Sequence, residues 1–473
     1  MTPTSTSNQN KCQRFYGSPL PSRRLPLLSS ASSAVKSLLL CTSLAGCSSP
    51  PLYEQADFHF FENRPQDIAV VYATAEQDPS INSLIGIDKL LSASLLAGDW
   101  AESERLAELA SSRVNIFLGD QKGERDSLAF FGREKEKPFK GEPFERAMVD
   151  FYLGLLRFRR GDHEGALNAF LSAMSKDRGI YRMPVEKAKA REGASNEDTF
   201  LYESNYATLA FFAARACKEI DEPAEAARHL ADAKRHRPEM AELFDRGMEA
   251  ASNVLGVAEA GRGPVKLQTG NRREVLSYRR GEEAELIDFR IDGRPASFGE
   301  TEDLFAQAST MGTRAVDDLN RDKAIRQEAL TAAGAGLTAA GATAAAVGSQ
   351  QSNRSRGRAM ETAGLIAMGI GITTMIISET AVDPSADIRA WGFLPGQLFL
   401  IVASAPPGEC RVEIRARAHR GPSLDQTWTA VPVEKGRSTL LYFRLLPSRK
   451  GGLYPSSGAL RPPSSSSPQH NQT

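Results

Sequence analysis

The feature that most constrains this chain lies between residues 147 and 180, AMVDFYLGLLRFRRGDHEGALNAFLSAMSKDRGI, where small residues recur at the positions that a pair of touching helices requires. Leu153-Gly154 is followed seven residues later by Gly161-Asp162, and then by Ala166, Phe170, Ala173 and Asp177. Apolar residues three and four apart predict two amphipathic helices. Gly161 supplies a backbone able to turn between them. Gly154, Gly161, Ala166, Phe170 and Ala173 are the candidate repeat-packing residues of this pair. The same frame fits Phe200 to Pro238, with Ala214 small on the first helix, Ala226, Leu230 and Ala233 on the second, and Pro238 as terminator. It departs at Asp221, where the turn has no glycine. A weaker copy runs from Ser83 to Ala110 through Leu90, Gly98-Asp99-Trp100, Ser103 and Ala107.

These residues closely resemble the tetratricopeptide repeat, a 34-residue helix-turn-helix. The turns at 98, 161 and 221 are spaced 63 and 60 residues apart, so residues 112–145 and 178–199 read as insertions or degenerate helices in an irregular array. The resemblance implies a stacked helical domain with a concave surface suited to a protein partner, because no single hairpin buries its apolar face alone. On it, Asp150, Arg157 and Asn205 are the candidate partner-binding residues on the outward faces of first helices. A plain helical bundle without a groove is the competing reading.

Near the N-terminus, Arg23, Arg24 and Lys36 precede the apolar run Leu38 to Gly46, which ends at Cys47 and Ser48-Ser49-Pro50-Pro51. A run of about nine residues is too short to span a bilayer and suits a signal-peptide core. Leu44-Ala45-Gly46-Cys47 resembles the lipobox of bacterial lipoproteins. The resemblance implies cleavage before Cys47 and acylation of its thiol and amine, making Cys47 a membrane anchor. Ser48, where that family uses aspartate for inner-membrane retention, implies an outer-membrane lipoprotein facing the periplasm, with the inner membrane as alternative. An ordinary secretory cleavage site is the other reading. Once the leader is removed, Cys217 and Cys410 are the remaining thiols, and neither belongs to a CxxC motif.

The expected fold class is α+β. Its segments are a signal peptide over 1–46, a lipidated tether and packed arm over 47–79, and the repeat-like helices over 80–252. There follow a small antiparallel β segment over 253–298, a helical region over 299–382, a β-strand domain over 383–446 and a disordered tail over 447–473. Turn signals Gly270-Asn271 and Asp292-Gly293 bound the first strands. In the second set, alternation puts Cys410, Val412, Ile414 and Ala416 on one face and Arg411, Glu413, Arg415 and Arg417 on the other. Within the helical region, Leu330 to Asn353 and Thr362 to Ser378 carry no charge, while Arg354, Arg356 and Arg358 lie between them. Gly334, Gly341 and Gly348 recur every seven residues and predict a close helix-helix seam. The expectation is a soluble hairpin packed against the chain's own domains; insertion into a bilayer is the alternative.

Composition enters by exclusion. Lys and Arg number 58, as do Asp and Glu, so net charge gives no case for nucleic acid or an anionic surface. No GxSxG, HExxH or phosphate-loop pattern occurs, and His229 and His236, two helical turns apart, are too distant for a compact metal pair. No catalytic residue, metal, cofactor or small-molecule substrate is expected. The order of lipobox, hairpins with EPFERAMVDFYLGLL, small strands, an Ala/Gly stretch and WGFLPGQLFLIVASAPPG resembles a poorly characterised family of bacterial envelope lipoproteins. The resemblance implies a non-enzymatic scaffold in envelope assembly or secretion. A membrane-active component and a cell-wall-modifying enzyme are the alternatives.

Overall fold

The computed structural model describes residues 52–72, 82–119, 137–177, 179–182, 199–202, 204–310, 315–349, 360–368, 370, 372, 385–418, 423–447 and 453–455. The leader, Cys47, the arginines between the two uncharged runs and the end of the tail lie outside the described residues.

The fold is α+β, with helices in the N-terminal half and sheets in the C-terminal half. Three antiparallel hairpins form the helical layer: α3 (Ser83–Ala97) with α4 (Trp100–Gly119), α5 (Pro143–Arg160) with α6 (His163–Asp177), and α7 (Ala207–Glu219) with α8 (Pro223–His236). Two short helices, α1 (Leu52–Phe61) and α2 (Pro65–Val71), precede them. The closing turns repeat one hydrogen-bonding pattern. Gly98, Gly161 and Asp221 each donate their N–H to the carbonyl three residues back, and the next residue donates to the one five back. Their φ values are 75°, 87° and 61°. Asp221 thus takes the left-handed place that glycine fills in the other two, as a short polar side chain can. Glu142 and Glu145 form a reciprocal capping box at the start of α5. A Cβ on Gly154 would stand 2.3 Å from the Phe170 ring, so α5 and α6 touch there, beside the fully buried Ala166 and Ala173.

The strands make two stacked layers. A five-stranded sheet has the order β13 (Leu453–Pro455), β12 (Thr439–Pro447), β3 (Val254–Ala260), β9 (Gln397–Ala403), β8 (Ser297–Asp303). β12 and β3 are parallel and the other pairs antiparallel. A four-stranded sheet has the order β11 (Ser423–Val433), β10 (Gly408–Ala418), β6 (Ala284–Ile291), β7 (Arg294–Pro295). Two hairpins stand apart, β1 (Gly179–Arg182) with β2 (Thr199–Tyr202), and β4 (Val265–Thr269) with β5 (Val275–Arg279).

The five-stranded sheet is the middle of three layers. Leu255, Val257, Leu400, Val402, Leu440 and Tyr442 point into the core shared with the helices, whereas Val254, Ala258, Phe399, Ile401, Leu441 and Phe443 face the four-stranded sheet. β3 and β12 are therefore buried along their whole length. β10 is covered on one side only and alternates, with Cys410, Val412, Ile414 and Ala416 buried and Arg411, Arg415 and Arg417 outside. Cys217 and Cys410 are both free thiols, the second inside the sheet-sheet core.

Three expectations are corrected. The regions 253–298 and 383–446 do not form separate β units: β3 lies between β12 and β9, and β6 beside β10, because strands buried on both faces need partners from both regions. The tail is not wholly unstructured, since Leu453–Pro455 pairs with the end of β12. The expected packed arm takes the form of α1 and α2: Asp57 binds Lys89 on α3 at 2.8 Å, and Phe60 stacks on Phe393 at 4.0 Å. Finally, in the Ala/Gly hairpin, α11 (Ala315–Ser349) and α12 (residues 360–368), following α9 (Ala241–Met248) and α10 (Leu304–Thr310), the described side chains beyond Gln327 are mostly not packed into the body. Along 327–349 and 360–372, the buried residues among those described are Gln327, Gly334, Gly341 and Gly364.

Candidate functional site

Every first helix of the array turns inward onto the sheet side of the molecule. On α5, Glu145 accepts hydrogen bonds from the Trp391 backbone N–H at 2.8 Å and from Lys266 Nζ at 2.7 Å, while Tyr152 meets the Trp391 ring edge-on at 5.7 Å. On α3, Ser92 Oγ accepts from Trp391 Nε1 at 2.8 Å. On α7, the Thr208 N–H donates to Glu302 at 2.9 Å and Arg215 donates to Ser438 Oγ at 2.7 Å. The inner surface where a repeat array would receive a partner is thus filled by the chain's own strands and by the Trp391–Gly396 turn.

Among the described residues, two open clefts lie between consecutive second helices. One cleft, of about 660 Å³, has α5 as floor and α4 and α6 as walls. Its polar lining is Ser111, Ser112, Asn115, Asn168 and Ser172, with Ile116, Leu153 and Ala169 between them. The next cleft, of about 440 Å³, lies between α6 and α8 and carries Arg228, Arg235, His229 and His236 beside Leu171 and Met174. α6 is the ridge between them: Asn168 and Ser172 face one cleft, Leu171 and Ser175 the other.

The sequence-derived candidates fall differently in this geometry. Asp150 is in the floor of the first cleft, but its carboxylate is 1% exposed and pairs with Lys176 Nζ at 2.7 Å, which also donates to Ser111. It is an internal tie between α5, α6 and α4 rather than a partner contact. Arg157 lines the same cleft and donates to Glu108 at 2.8 Å, bridging the first hairpin to the second. Asn205 is corrected: it is exposed in the loop before α7 and lines neither cleft. The packing residues Gly154, Ala166, Phe170, Ala173 and Ala233 lie beneath these surfaces, and Ala226 is also buried. Gly161 closes the turn, where Arg437 from the far end of the chain donates to the Arg160 carbonyl.

Neither family models nor curated proteins nor solved structures match this chain.

Chemically, the first cleft offers hydroxyls and amides that both donate and accept, over a floor in which Leu153 lies between the ion-paired Asp150 and Arg157. That lining matches a peptide main chain. In the second cleft Arg228 and Arg235 are paired with Glu225 and Asp232. Burial, then the neighbouring Arg228, lowers the pKa of His229, and burial followed by Arg235 lowers that of His236, so both imidazoles favour the neutral form. Among the described residues, no group of three or more His, Cys, Asp or Glu is placed to hold a metal ion. The serines and asparagines of the first cleft escaped sequence reading because polar residues on an outward helix face carry the pattern of any solvated surface. The pairing of His229 and His236 on one face was visible in their seven-residue spacing.

Proposed function

We propose that this chain is a non-enzymatic, lipid-anchored scaffold of the bacterial envelope, tethered through acylated Cys47, that binds an extended segment of a protein partner in the cleft between α4 and α6. The tetratricopeptide-like hairpins supply the cleft, but the partner enters from the outer side. The observation that carries the reading is the filled inner surface: with α3, α5 and α7 bonded to the sheet side, the clefts between second helices are the recesses left to a partner. Asn115, Asn168 and Ser172 bond the partner's backbone, and Ile116 and Leu153 receive its side chains.

A photo-crosslinking amino acid at Asn168, in the full chain in its native host, tests this. It yields a discrete adduct, and Ser112→Arg, which fills the cleft from the opposite wall, abolishes that adduct while leaving thermal stability unchanged. The same probe at Asn205, outside both clefts, captures nothing. An adduct at Asn168 that persists in the Ser112→Arg protein, or none at all, overturns the proposal.

A further inference from the structure

The α11–α12 hairpin has a surface that the rest of the molecule does not explain. Over Gln327–Val347, 21 residues, α11 is long and apolar enough to cross a membrane, yet only 11% of it is buried. Leu337, Val347, Leu365 and Ile366 are exposed by 43 to 58%. A helix serving a soluble interface presents one apolar stripe and keeps charges on its other faces. Here no charged residue stands on any face from Leu330 to Asn353, and charges return on either side, at Arg326 and Glu328 before the run and at Arg354, Arg356 and Arg358 after it.

The polar atoms within the run are treated as hydrocarbon would demand. Each hydroxyl between 330 and 349 donates to a carbonyl of its own helix: Thr331 to Gln327, Thr338 to Gly334, Thr343 to Ala339 and Ser349 to Ala346, at 2.7 to 2.9 Å. None needs water. The two helices also meet backbone to backbone. A Cβ on Gly341 would stand 2.4 Å from the Gly364 carbonyl oxygen, and one on Gly364 would stand 2.4 Å from the Ala345 nitrogen. Such approach by small residues supports helix pairing where no water is available to drive it. At 1.5 Å per residue, the 20 residues from Leu330 to Ser349 extend about 30 Å, the thickness of a bilayer's hydrocarbon core.

We infer that the α11–α12 hairpin enters a phospholipid bilayer, residues 330–349 pairing with 360–368 along the glycine seam, and that Arg354, Arg356 and Arg358, which lie between the two helices in sequence, are carried to the headgroups of the far leaflet. These arginines then meet anionic lipid phosphates, and the charged residues before Leu330 remain at the near surface. The exposed leucines, valine and isoleucines face acyl chains. This goes beyond the partner cleft and does not depend on it.

Leu337, midway along the 21-residue span, is the position for a test. The full chain carrying Leu337→Trp is reconstituted with phosphatidylethanolamine and phosphatidylglycerol vesicles that contain lipids brominated near the ends of their acyl chains. Emission from the variant shifts to the blue and falls about two-fold more than that of the wild type, whose three tryptophans lie elsewhere. Quenching no greater than in the wild type overturns the inference. So does protection of the introduced indole from aqueous acrylamide without vesicles together with a sedimentation dimer, which would assign the face to a second copy. Failure of the cleft reading leaves the bromine signal untouched, and failure here leaves the Asn168 adduct untouched.

Discussion

Asp177 and Glu302 are carboxyl groups held where a charge is expensive. Glu302 is buried between the Thr208 N–H and the Gln307 amide, and Asp177 is buried at the end of α6. Burial pushes the pKa of each up to about 7, and for Glu302 the nearby Asp177 adds to the rise. The folded state therefore favours the protonated forms more than the unfolded chain does. Their stabilisation is fully present below the ordinary carboxylate range and is lost as pH rises from about 4 to about 7. Glu302→Gln keeps the shape and removes the titration. Thermal unfolding followed from pH 5 to pH 8 should show the wild type losing stability relative to this variant, by on the order of 2 kcal/mol, each pKa unit being worth about 1.4. The difference between the two proteins isolates the carboxyl from the buried histidines, whose lowered pKa values act in the opposite sense. A constant difference across that range would show Glu302 to be ionised in the fold.

At the scale of elements, the third hairpin shows what a repeat tolerates. Asp221 occupies the left-handed position at φ 61°, and a Cβ there is strained where glycine's absence of one is not. Asp221→Gly should raise stability by about 0.5–1 kcal/mol, partly offset by the freer unfolded chain. Ala166→Leu should act oppositely, since Ala166 is fully buried against α5, and should cost roughly 1–3 kcal/mol. Denaturant midpoints of the two variants should bracket that of the wild type. The hairpins were legible in the sequence because their requirements are local: a turn residue, small residues at the crossing and a 3.6-residue period. β10 was legible for the same reason, its inner face alternating with outer arginines. β3, Val-Leu-Gly-Val-Ala-Glu-Ala, showed no alternation because it is covered on both sides, and its parallel neighbour β12 comes almost two hundred residues later. Pairing across such a distance leaves no local mark. The candidate site suffered likewise. Arg157 was found, but the filling of the inner surface by Trp391 and Lys266 could not be read from the hairpins that it covers.

Across the whole molecule, the helical layer and the sheets are joined by buried polar ties. Lys266, on the β4–β5 hairpin, is 2% exposed at its side chain and bonds Glu145 of α5 and the Arg389 carbonyl. Lys266→Ala would leave Glu145 without its buried cation, an uncompensated loss of about 3–5 kcal/mol. If the layers fold as one unit, the far-ultraviolet signal of the helices and the near-ultraviolet signal of the tryptophans should lose midpoint together in this variant. Separate transitions would show that the array is independent of the sheet it covers.

The pairing of β8 with β9 has one more consequence. Asp303, the last residue of β8, is opposite Gln397, the first of β9, so residues 304–396 begin and end at a single rung of one ladder, with α10 and the Trp391–Gly396 turn packed on the body near that rung and the α11–α12 hairpin farther out along the excursion. An excursion closed at its base is topologically a cassette. The entropy of closing it rises only logarithmically with its length, so residues can be gained or lost at its tip with little effect on how the remainder threads. On the bilayer reading inferred above, selection can then adjust the hairpin's reach to the thickness of a lipid layer, while the rest of the architecture keeps its register.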